Sequence, residues 1–122
     1  MTALAVALTG ALGALARVAL ERSVIRRAGH GFPWGTGLVN VTGSLALGVV
    51  VGLAAAHGLG AGVESALAAG FLGGYTTFST YALETVRLFE DGRALHACSY
   101  AVLSAAAGIA AAALGLAVTG GI

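Results

Sequence analysis

The chain has 122 residues, of which 58% are hydrophobic and 9% charged, with a mean hydropathy of +0.94. A water-soluble domain needs charge over its surface, so this composition excludes one and points to lipid as the solvent. A net charge of +1 with no lysine gives no basis for a nucleic-acid partner.

At about 20 residues per span, the length holds at most four membrane helices with short connections, in one all-α integral membrane unit over residues 1–122. Cys98 is the only cysteine, so no internal disulfide can form, and it is read as a small apolar residue. No basic stretch precedes the first apolar run, so that run is read as a mature helix and not as a cleaved leader. The first span is predicted from about Ala3 to Leu20, closed by a segment carrying Arg22, Arg26 and Arg27. Gly10, Gly13, Ala14 and Arg17 share one face of it, which places small residues beside a charge. Arg17 either snorkels to the headgroups or faces inward near a vestibule.

The second span is predicted from about Pro33 to Ala56, with proline suited to the first turn and Trp34 to the membrane interface. Asn40, Gly43, Ser44, Leu47 and Gly48 form a stripe of mostly small residues. Asn40 either joins helices by hydrogen bonds or supplies a neutral donor to an anion. A short glycine-rich connection leads to the third span, about Val63 to Phe89. Its centre holds Gly73-Gly74-Tyr75-Thr76-Thr77, a run of poor helix formers, and the spacing predicts a break near the membrane midplane. Carbonyls freed by unwinding are oxygen ligands for a small cation; the competing explanation is a glycine kink for packing. Beyond the break, Phe78 and Tyr81 form an aromatic face, and Thr77, Thr80 and Glu84 a polar one. The fourth span is predicted from about Ala94 to Val118, where Tyr100 and Ser104 lie one turn apart.

The chemistry that is missing also narrows the reading. His30, His57 and His96 fall near span ends without metal-ligand spacing. There is no nucleophile elbow, Walker loop or deep carboxylate pair, so no enzyme is expected.

Three segments carry a resemblance that covers nearly the whole chain. Residues 70–80, Gly-Phe-Leu-Gly-Gly-Tyr-Thr-Thr-Phe-Ser-Thr, residues 35–43, and Gly10 through Arg17 resemble, in order, motifs of the CrcB/Fluc fluoride channels. The resemblance implies an antiparallel dimer of four-span subunits with two pores, which exports cytoplasmic fluoride passively through the inner (plasma) membrane. It implies that the carbonyls of Gly73 and Thr76 hold a structural sodium ion at the dimer centre. It further implies that Asn40 donates to fluoride, that Phe78 presents an electropositive ring edge, and that Ser79, Thr80, Tyr100 and Ser104 lie along the polar track. Arg17 resembles the vestibule arginine, and Glu84 matches a family position without an assigned role. Tyr81 departs from the phenylalanine usual there; its hydroxyl could narrow the pathway, lend a donor or mark one altered pore.

With four spans, Arg22, Arg26, Arg27, Arg87 and Arg93 all fall on one side, which by the positive-inside rule puts both termini outside. An antiparallel homodimer needs both orientations, so the partner is either a second copy or an oppositely inserted homologous subunit. Two other functions fit the residues less well. A small multidrug-type proton-coupled exporter needs an acidic residue deep in the first span, and a non-transporting assembly subunit leaves the polar run from Thr76 to Thr80 unexplained.

Overall fold

The computed structural model describes residues 2–121, and among them every regular element is helical. Helix α1 (Thr2–Ala28) and α2 (Trp34–His57) are followed by α3 (Ala61–Ser65), a π-helical segment (Ala66–Leu72) and α4 (Gly73–Tyr75), then α5 (Ser79–Glu90) and α6 (Ala94–Val118). Helices α1, α2 and α6 are each long and apolar enough to cross a membrane. Leu4, Leu8, Leu12 and Leu15 are exposed along one side of α1, as befits a helix whose outward surface meets lipid. Helix α1 runs past Leu20 through Arg22, Arg26 and Arg27 to Ala28, since nothing in that stretch breaks a helix once it leaves the bilayer.

Two close helix contacts set the architecture. Helix α1 packs on residues 66–75, and α2 packs on α6. In the first, a Cβ at Gly13 would overlap the Phe71 carbonyl and one at Gly74 would overlap the Gly10 carbonyl. In the second, a Cβ at Gly48 would overlap the Ala112 carbonyl. Van der Waals packing and not water exclusion drives helix association in lipid, so backbone-to-backbone approach at small residues is the source of attraction. Helix α5 packs on α6, around a small cluster of Leu88, Ala97 and Tyr100 with Phe32 and Tyr81 against it.

The π-helical segment is recorded in the bond from the Gly73 N–H to the Ala68 carbonyl, five residues back. Such segments shift the faces that follow and recur at functional sites. Here Gly70 lies against Thr9 and Gly74 against Gly10, so both turns seat on α1. The two ends of the bundle differ. At one, the Arg93 guanidinium donates to the Gly31 carbonyl, tying the α5–α6 turn to the α1–α2 connection. At the other, α2 closes on Gly58 in the left-handed conformation, φ 72°, with its N–H on the Ala54 carbonyl.

Candidate functional site

The site begins where α4 ends. Thr76 is extended, with φ −83° and ψ 159°, and both its N–H and its hydroxyl donate to the Leu72 carbonyl at 2.9 Å. Asn40 of α2 then takes hold of the next peptide unit: its Nδ2 donates to the Thr77 carbonyl at 2.9 Å, and its Oδ1 accepts from the Thr77 N–H at 2.9 Å. The Thr77 hydroxyl accepts from the Thr80 N–H at 3.2 Å and donates to the Thr80 hydroxyl at 3.1 Å, capping the start of α5.

These substitutions have a specific consequence for two carbonyls. In a continuous helix the N–H groups of Thr77 and Thr80 would bond the carbonyls of Gly73 and Thr76. Both are turned to side-chain acceptors, Asn40 and Thr77. The Gly73 and Thr76 carbonyls are thereby released from the helical ladder, which is what a backbone-oxygen cation site requires.

A cavity of about 640 Å³ opens beside this segment, lined among others by Asn40, Gly73, Thr76, Thr77, Phe78 and Ser104. Its lining is largely apolar, with hydroxyl and amide groups at a few points. Phe78 is 78% exposed beside the half-buried polar cluster of Asn40, Thr77 and Thr80. Tyr81 also lines the cavity and stands between two rings, 5.9 Å from Phe78 and 5.3 Å from Tyr100. Its hydroxyl donates to the Ala101 carbonyl of α6 at 2.6 Å. The hydroxyl that sets this residue apart is therefore engaged with backbone and holds α5 to α6. Tyr100 is buried, with Phe32 edge-on at 5.5 Å, and its own hydroxyl has no partner. Ser79 is exposed at the first position of α5.

A second cavity, about 450 Å³, lies at the arginine-rich end and is lined by Glu21, Thr36, Thr80, Glu84 and Arg87 among others. Thr80 belongs to it while bonded to Thr77 of the first, so the two chambers adjoin through that hydroxyl pair. Buried Thr36 donates to Glu84 at 2.5 Å. Arg17 is half-buried on α1 and leaves its Nε without a partner. It lines neither chamber. Sequence reasoning passed over Thr36 and Glu21. Thr36 could have been found, because it stands one turn before Asn40 on the same helix face; Glu21 could not, because only the crossing of α1 and α2 brings it to the chamber.

The model of the family described as CrcB-like protein, Camphor Resistance (CrcB), matches residues 4–116. A protein of Natronomonas pharaonis named fluoride-specific ion channel FluC 2 is 49% identical over 117 residues, covering 96% of this chain and 93% of that one. One from Leifsonia xyli, named fluoride-specific ion channel FluC 1, is 50% identical over 75% of this chain and 66% of its own. One from Hyphomonas neptunium, named fluoride-specific ion channel FluC, is 43% identical over 93% of this chain and 91% of its own.

Proposed function

As the chain belongs to the CrcB family, we propose that it is a fluoride-selective channel that lets the anion leave the cytoplasm passively through the plasma membrane. The observation that carries this is the interrupted segment at Thr76–Phe78, held by the double hydrogen bond from Asn40 and bordered by the exposed Phe78 ring. We read residues 61–90 as one membrane span broken at this point.

Fluoride is small and strongly hydrated, so a narrow path has to replace its water at each step without binding it too tightly. An amide nitrogen carries two hydrogens, so Asn40 keeps one for the ion after donating to Thr77. The Phe78 ring presents an electropositive edge. The hydroxyls of Ser79, Thr80, Tyr100 and Ser104 continue the sequence of polar contacts, and Arg17, which lines neither chamber, adds a positive field from α1. Chloride, larger and more weakly hydrogen-bonded, is disfavoured by width and by the hardness of these donors.

Gly73 and Thr76 would hold a sodium ion through their carbonyls, and the diversion of their helical donors supports that fit. The ion supplies a fixed positive charge that joins two subunits at their breaks. The first cavity is open along the chain surface, which supports completion by an antiparallel partner. An exporter reading gains nothing from Glu21, because that residue lies at the arginine-rich end of α1 and not deep within it.

The deciding experiment is efflux from liposomes containing the purified protein, followed with a fluoride-selective electrode, with chloride as control. Rapid fluoride release with retained chloride is expected, and absence of fluoride release overturns the proposal. In the same preparation sodium should raise the thermal midpoint relative to an organic cation. A ligand at about 100 times its Kd stabilises by about 2.7 kcal/mol.

A further inference from the structure

One half-buried carboxylate, Glu21, has no place in the pathway described above. Glu21 sits where α1 and α2 cross at the arginine-rich end. A Cβ at Gly35 would lie 3.3 Å from the Glu21 Cα, so the first turn of α2 rests on the Glu21 backbone and limits where that side chain can go. The side chain lines the 450 Å³ chamber together with Thr36, Thr80 and Glu84. Thr36 donates its hydrogen bond to Glu84. Glu21 receives none: its Oε1 is buried and has no hydrogen-bond partner.

Because the chamber adjoins the first cavity through Thr77 and Thr80, an anion entering or leaving at this end moves close to Glu21. Arg87, Arg93 and His30 line the same chamber, as does Asp91. The field an anion meets is thus a balance between nearby positive and negative groups. The chamber opens to water at its mouth, where salt screens its charges, but its low-dielectric walls focus the field at low salt, so one carboxylate weighs heavily in that balance. We propose that Glu21 is a rate-setting residue of the conduction pathway, whose negative charge raises the barrier to fluoride at the arginine-rich mouth. The role rests on the channel reading above.

Initial fluoride efflux is to be measured from liposomes carrying the wild type, Glu21→Gln, Glu21→Ser or Glu21→Asp, at low and high concentrations of an impermeant salt. The two neutral variants, made in parallel in case one fails to assemble, should be roughly 3- to 10-fold faster than wild type at low salt. Their advantage should shrink toward unity as salt screens the chamber mouth, while Glu21→Asp follows the wild-type salt response. Equal rates at low salt overturn the role, as does a gain that persists unchanged at high salt, which would mark a packing effect. Wild-type protein without fluoride flux overturns the channel reading itself; wild-type flux with unchanged neutral variants overturns only the role of Glu21.

Discussion

Asn40 serves one of the two uses that the sequence presents, joining helices, and is placed where the proposed second use, donation to the anion, needs it. Its amide pairs with both polar groups of the Thr77 peptide, and it also lines the cavity. Asn40→Ala would leave the half-buried N–H and carbonyl of Thr77 without their partner, at a cost of at most about 1–3 kcal/mol each, so it should lower thermal stability as well as abolish flux. Phe78→Leu is the cleaner test of conduction, because the ring is 78% exposed and supports little of this subunit. We expect Phe78→Leu to lose fluoride flux while keeping a wild-type elution profile and melting temperature; normal flux in that variant would count against an aromatic contact with the anion. Tyr81 reads differently once its partners are known. Its hydroxyl bonds the Ala101 carbonyl, so it ties α5 to α6, a use apart from the three that the sequence suggests.

At the scale of the element, glycine is what permits the two helix pairs to form. The α2–α6 contact brings Gly48 to the Ala112 backbone and Gly115 to the Leu45 carbonyl. Enlarging one of these residues must separate the helices over several turns, because backbone and not a flexible side-chain end occupies the space. Gly48→Leu should therefore destabilise the bundle by about 1–3 kcal/mol or prevent its assembly, visible as a lower melting temperature in detergent. By contrast Gly62→Ala, where nothing lies within 4 Å, should melt like the wild type. The segment before the interruption follows the same logic. The π-helical winding from Ala66 to Leu72 allows Gly70 and Gly74 to meet α1 together, and Asn40 then holds the peptide after the helix has ended.

The whole molecule is electrically lopsided. Arg22, Arg26, Arg27, Arg87 and Arg93 gather at the end where Arg93 reaches Gly31, and the opposite connection, residues 58–60, carries no charge. A single preferred insertion follows from that bias, whereas an antiparallel pair needs both. If a homologous subunit of opposite bias is the partner, the chain expressed alone should show little fluoride flux, restored by co-expression with such a subunit. Full activity from this chain alone would remove the need for one.

Much of this was legible in the residues alone. An apolar chain with few charges has to sit in lipid and small residues at helical spacing have to mark close contacts, whereas Gly73 and Gly74, expected to open the break, stay helical and the helix ends only at Thr76. Periodicity and solvent dictate such features locally. The partners of the polar groups were not legible, because they depend on residues far apart in the chain. Asn40 with Thr77, Thr36 with Glu84 and Tyr81 with Ala101 are joined only once α2, α5 and α6 lie side by side. Those long-range pairings in turn select which carbonyls lose their helical donors and which carboxylate oxygen, Oε1 of Glu21, is left without a hydrogen-bond donor.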